Sequence, residues 1–331
     1  MFDTHFLGFF TMRTRTGRRS KSRAFCAALL FAFGAFSAVG AEEGEGASER
    51  SAGTGKPPVV AKIESAQLPA WVERNGTRAG AKPGWAIYPG DTLITGDRGR
   101  LLLVLSDDAR LTLGESAQLE FTASLATAGQ IASDPRASFL RVSKGAFNFT
   151  AAPVPRDNRA AMTIGLGDHL AFAVLGGHVW GKSDKRQDTL LLIDGAIDVV
   201  GDVTLRMDRP QSVLVKPRKT AVQPPAPAPA EKIALWLAQT EFHRRRPTLT
   251  HGGNWTVSLL ADRDRSSQIV ARACRLQELG YPSEIVPAQV NGKQWQRLLI
   301  QRFASKDDAQ RFVRSAAALG SEDAWVVGQT P

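Results

Sequence analysis

The chain has 331 residues, 43% of them hydrophobic, and carries 42 Lys and Arg against 32 Asp and Glu for a formal charge of +10. That length exceeds one ordinary core and predicts two or three domains. The charge would suit a nucleic-acid or membrane partner, but six basic residues (Arg13, Arg15, Arg18, Arg19, Lys21, Arg23) crowd into positions 1–41 beside the single acid Asp3, leaving 36 basic and 31 acidic residues elsewhere. The body of the protein is only mildly basic, which weakens both partner classes.

Residues 1–41 read as an export signal. A basic stretch precedes the uncharged run Ala24 to Ala41, and the small residues Val39 and Ala41 stand before Glu42, which predicts cleavage after Ala41. An uncleaved anchor competes with this reading, because 18 uncharged residues reach the lower end of a bilayer span and the Arg cluster would hold the N-terminus inside. Met12 is an alternative start. Either version exports the remainder, so the expected location is the periplasm, with membrane contact only if the anchor is retained. Residues 42–58, rich in Gly, Ser and Glu without an apolar period, predict a flexible tether.

From 59 to 216 the pattern is short strands. Leu101, Leu103 and Leu105 return as Leu111 and Leu113 after Ser106-Asp107-Asp108, and the run 189–201 is expected to turn in the same way around Asp194-Gly195. Glycines throughout this region complete the signature of an all-β sandwich or roll. The stretch YPGDTLITGDRGRLLLVLSDDARLTL (88–113) is similar to the FecR-like domain, matching it at Gly90, Asp91, Thr95, Gly96 and the Leu101 to Leu105 strand, with Asp108 in place of a turn Gly. The resemblance implies an extracytoplasmic module that senses a signal or docks a partner; the Asp and Gly residues themselves read as turn geometry. Residues 217–249 then read as a Pro- and Ala-rich extended spacer, the alternation running to about 232, that includes a short helix carrying Ile233, Trp236 and Leu237.

The last segment, 250–331, repeats itself. Trp255 and Trp295 each open a strand; a cap follows at Asp264 or Ser266 and again at Ser305; an amphipathic helix then ends at Gly280 or Gly320. With strands at 283–290 and 324–327 the order is β-α-β-β-α-β, which folds as an RNP-like four-stranded antiparallel sheet with two helices on one face. The sequences WTVSLLA and NGKQWQRLLIQRFASKDDAQRFV resemble the SPOR (sporulation-related repeat) domain, with Ser258, Leu260, Gln301 and Arg302 departing from its usual residues. The whole is thus read as multidomain, an all-β FecR-like domain followed by an α+β SPOR domain.

The resemblance implies binding of peptidoglycan glycan strands, preferentially those stripped of stem peptides at the division septum. Strand alternation puts Arg297 and Leu299 on the helix-free face with Trp295 at its edge, and Thr256 and Ser258 outward on the first strand. Aromatic faces suit sugar C–H surfaces, and an Arg fork suits a free lactyl carboxylate. The expected glycan site is therefore Trp295, Arg297, Ser258, Leu299 and Trp325.

No nucleophile elbow, phosphate loop or metal-spaced cluster can be read in the sequence, so neither catalysis nor a metal or other cofactor is expected. The same fold order builds RNA-recognition domains, but the RNP1 motif is missing and the chain is exported, so nucleic acid is not an expected partner. The expected function is a non-catalytic envelope protein whose C-terminal domain holds glycan while the β domain docks an envelope protein or second ligand, the two acting as a bivalent linker on flexible tethers. The alternative makes the FecR-like part a periplasmic sensor and the SPOR-like part its wall anchor.

Overall fold

In a computed structural model, residues 58–122, 139–151, 162–201, 204–263 and 267–329 are described. The expected signal at 1–41 and nearly all of the 42–58 tether lie outside the described residues. The first half opens with β1 (Ala61–Gln67), a hairpin of β2 (Ala70–Arg74) and β3 (Thr77–Gly80), then β4 (Ala86–Ile87) and β5 (Thr92–Thr95). Asn75 and Gly76 both have positive φ, which is what a two-residue turn between right-twisted strands requires. β6 (Arg100–Leu105) pairs antiparallel with β1 and with β7 (Arg110–Leu113), and Asp108 takes the left-handed turn position with φ 65°. The alternation read in the sequence is obeyed: Leu101, Leu103, Leu111 and Leu113 are wholly buried.

β8 (Gln118–Phe121), β9 (Leu140–Thr150), β10 (Met162–Leu166), β11 (Leu170–Ser183), β12 (Gln187–Gly201), β13 (Leu205–Met207), β14 (Ser212–Pro217) and β15 (Ala226–Pro227) complete this half. The turn expected at Asp194-Gly195 is not a turn. Both residues lie inside β12, where Gly195 faces Gly177 of β11 and the ladder shifts register beside Gly176. A Cβ on Gly195 would come 2.1 Å from Gly176 O. Paired glycines at φ 140°, 101° and 87° let two long strands bulge and keep going, a use of Gly that mimics a hairpin signal in the sequence.

The Asp and Thr of the 88–113 motif are structural. The Asp91 carboxylate, 1% exposed, takes two hydrogen bonds from the Arg74 guanidinium at 2.7 Å and one from Tyr88 N. Thr95 Oγ1 donates to Gly114 O at 2.6 Å and accepts from Ala117 N, tying β5 to the start of β8. Buried polar groups satisfied in this way fix a fold rather than offer a ligand.

The segment expected as a free spacer is docked. Ala226 and Pro227 pair with the edge of β14, and α1 (Ala230–Ala238) lays Ile233, Trp236 and Leu237 against Ala146, Trp180 and Leu191. β16 (Leu249–Thr250) then pairs with β1 at Ala66↔Leu249 and Ser65↔Thr250. Next come β17 (Trp255–Asp262), α2 (Ser267–Glu278), β18 (Ser283–Val290), β19 (Lys293–Phe303), α3 (Lys306–Ala316), a 3-10 turn at Ala317–Leu319 and β20 (Trp325–Gln329). Their strands run in the order β18-β19-β17-β20, all antiparallel. Ser305 caps α3 by accepting a hydrogen bond from Asp308 N, with Asp307 and Asp308 in the first turn where the helix dipole favours anions.

Consequently the halves are not modules on a loose linker, and the bivalent picture is corrected. Trp71 Nε1 donates to Glu278 O at 2.9 Å, Ala70 N to Gly280 O at 3.2 Å and His251 N to Glu64 O at 2.8 Å, while Lys82 pairs with Glu284. One buried apolar cluster runs from Val60 in the first half to Ala316 in α3. At Gly80 an added Cβ would meet the Tyr281 carbonyl carbon at 2.5 Å, backbone against backbone. Gly80→Ala is therefore expected to cost about 1–3 kcal/mol by prying the join apart. A urea midpoint unchanged from the parent would contradict this close approach.

Candidate functional site

The helices α2 and α3 cover one face of the C-terminal sheet. Ser283, Ile285, Leu298, Ile300, Val257 and Val326 share that face by register, and Ser283 Oγ donates to Ala273 O of α2. The opposite rows follow from the same registers. Glu284, Leu299, Ser258 and Trp325 line up side by side across all four strands, while Val286, Arg297 and Ala261 form the next row and Ala288 and Trp295 the one beyond. All five predicted residues therefore lie on the helix-free face.

Their accessibility differs. Trp295, Arg297 and Leu299 succeed one another along β19 over about 13 Å, at two residues per step. Trp295 and Arg297 are half-buried, and the Arg263 guanidinium sits 5.2 Å from the Trp295 ring centre, a cation–π contact that already steadies the indole. Trp325 is 41% exposed, whereas Leu299 is 7% exposed and Ser258 not at all. Ser258 Oγ has no hydrogen-bond partner among the described residues. Its short side chain stands between Leu299 and Trp325, directly opposite on the two flanking strands, so it can touch a ligand only after its cover shifts. Glu284, at the β18 end of the Ser258 row, is held by Lys82, so the first half forms one bank of this face.

Sequence reasoning missed a groove of about 610 Å³ at the other edge. β20 pairs with β17 only as far as Ser258↔Trp325, so Leu260–Asp262 pair with β19 alone. Leu260, Ala261, Gln268, Arg275, Asp323 and Trp325 are among its lining, with Arg272 donating to Leu319 O and Ser321 Oγ to fix the wall. Trp325 thus belongs both to the open face and to the groove. The only signal for it was the shortness of the last apolar run, AWVV, against the longer WTVSLLA that it pairs with.

Chemically the arrangement offers flat aromatic surface, guanidinium donors and uncharged hydrogen-bonding groups. Among the described residues there is no group of three or more His, Cys, Asp or Glu that could hold a metal ion, and no helix long and apolar enough to cross a membrane.

Among solved structures the chain is similar to two crystal structures, at 2.50 and 1.65 Å, of a candidate anti-sigma factor from Parabacteroides distasonis ATCC 8503. Each is 11% identical and aligns over 61% of this chain and 96% of the other, with a TM-score of 0.36, too low to carry an argument about fold or function. No curated protein matches the chain. The protein-family comparison is specific: residues 250–328, spanning β17 to β20 and the helices between them, match the SPOR domain.

Proposed function

We propose that the protein is a non-catalytic component of the cell envelope that grips peptidoglycan glycan strands, with a preference for strands stripped of their stem peptides. SPOR domains are binding domains for peptidoglycan, and the match over residues 250–328 is the observation that carries the reading. The track Trp295, Arg297 and Leu299 supplies stacking surface and a carboxylate-binding fork, and Trp325 extends it toward the groove beside α2. Ser258 enters as a support for Trp325 and Leu299 before it enters as a contact. The FecR-like first half, 59–216, acts as the docking module for an envelope protein, and its rigid join to the SPOR domain fixes where that partner stands relative to the wall. Export through residues 1–41 to the periplasm belongs to the same proposal.

Retention of the full chain on purified sacculi, before and after amidase treatment, tests this. Stripping peptides should raise retention, and Trp295→Ala and Trp325→Ala should each weaken it about tenfold, or ~1.4 kcal/mol. Equal retention of parent and both variants, with folding intact, would remove the helix-free face from the proposal.

A further inference from the structure

The join between the halves gathers three arginines, Arg98, Arg100 and Arg246, of which only Arg98 pairs with an acid among the described residues. Arg100, 2% exposed, donates from Nη1 to Arg98 O at 3.3 Å and from Nη2 to Gln239 O at 3.4 Å, and its buried Nε has no partner among the described residues. Arg246 donates from Nη1 to the same Arg98 O at 3.1 Å. Two guanidinium groups thus converge on one carbonyl, and neither makes an ion pair among the described residues. Arg98 itself occupies the left-handed region at φ 59°, and among the described residues its side chain pairs with the exposed Asp97 alone, at 3.7 Å.

The segment bearing Arg246 is held firmly. The buried Gln67 amide donates to His243 O at 2.9 Å and to Thr248 Oγ1 at 3.0 Å, and accepts from His243 N at 3.1 Å. Arg246 also lines a crevice of about 50 Å³ with Leu68, Tyr281 and Phe312. Burial, then repulsion from a neighbouring cation, lowers the proton affinity of Arg100, which feels Arg246, and of Arg246, which feels Arg98; His243 is lowered by burial and by Arg100 and Arg246. Glu115 is the acid felt by all three, but it makes no ion pair with any of them; Asp97 and Tyr281 act on Arg246, each more strongly than Glu115 does there, and Glu241 acts on His243. A pinned backbone, converging guanidinium groups and an orphaned buried N–H are the ingredients of a preformed oxyanion site.

We infer that the join between the two halves binds an oxyanion, a carboxylate or a phosphate, held by Arg246 and Arg98 with Arg100 behind them. This site is separate from the glycan face and does not depend on the SPOR reading. An anion there bridges the β5–β6 turn and the segment leading into β16, so binding braces the join and stabilises the folded state.

Thermal unfolding of the full chain in sodium phosphate and in sodium acetate, with sodium chloride holding ionic strength constant, is the test. A saturable rise in Tm with phosphate, acetate or both is expected, and the responding salt identifies the source. Arg246→Gln should weaken the apparent affinity at least tenfold, while Glu115→Gln, which removes the competing negative charge, should strengthen it several-fold. The inference fails if Tm follows ionic strength alone, or if parent and Arg246→Gln respond identically. Because Arg246 is half-exposed and Glu115 exposed, both variants should fold, and Arg100→Lys need be made only after them.

Discussion

Trp180→Ala should lower the folding free energy by about 3–5 kcal/mol, the range for deleting a buried aromatic side chain. Trp180 has no solvent exposure, and its ring stacks on Trp236 at 5.6 Å between centres and 11° between planes. It belongs to a small cluster with Ala146 and Leu191 that is separate from the main core, so few neighbours can collapse into the space left behind. The same change removes the surface on which α1 docks. Trp236→Ala deletes the other ring, but from a half-buried position on a nine-residue helix, and should cost roughly 1.5–3 kcal/mol by lost apolar burial. Guanidinium unfolding of both variants checks the ranking, and near-UV circular dichroism should report loss of the stacked pair in each. A Trp180→Ala cost below that of Trp236→Ala would mean that α1 contributes more than the platform beneath it.

That docked helix also shows where the sequence was readable and where it was not. Ile233, Trp236 and Leu237 announced an amphipathic helix because helical periodicity is local, and the structure places all three against one cluster. What they dock against lies some 42 to 91 residues earlier in sequence, on β9, β11 and β12, and composition cannot express a partner at that distance. The Pro-Ala run looked like a free spacer for the same reason: Pro excludes a central strand, yet an edge position such as Ala226-Pro227 beside β14 tolerates it.

The glycine signals divide along the same line. Asn291-Gly292 is the tight turn its residues suggest, with φ 51° and 72°, whereas Gly195 supplies positive φ to a bulge opposite Gly176 and Gly177. A two-residue motif specifies backbone angles, not whether the chain reverses. At the candidate site, strand alternation placed Trp295, Arg297, Ser258 and Leu299 on one face and the ladder brings Trp325 beside them, but burial depends on neighbours across strands. Ser258 is covered by residues some 40 and 67 positions later in the chain, which alternation alone could not reveal.

Phe303→Ala should be comparably severe, about 3–5 kcal/mol, and it asks a larger question. Phe303 is wholly buried at the end of β19, pairs in register with both Leu249 of β16 and Trp255 of β17, and packs on Phe312 of α3 at 5.2 Å. β16 in turn pairs with β1, so the residue lies where the SPOR domain meets the first half. If the halves were independent, the variant would melt the SPOR domain early and leave the first half at its original midpoint. With one apolar cluster and backbone hydrogen bonds crossing the join, the first half instead loses its support when the SPOR sheet opens. Unfolding followed by circular dichroism and by tryptophan fluorescence should therefore give coincident transitions in the parent and in Phe303→Ala, both displaced together. Separate transitions in the variant would show that the join holds the halves in place without coupling their stability, and that the SPOR domain could bind the wall whatever the state of the first half.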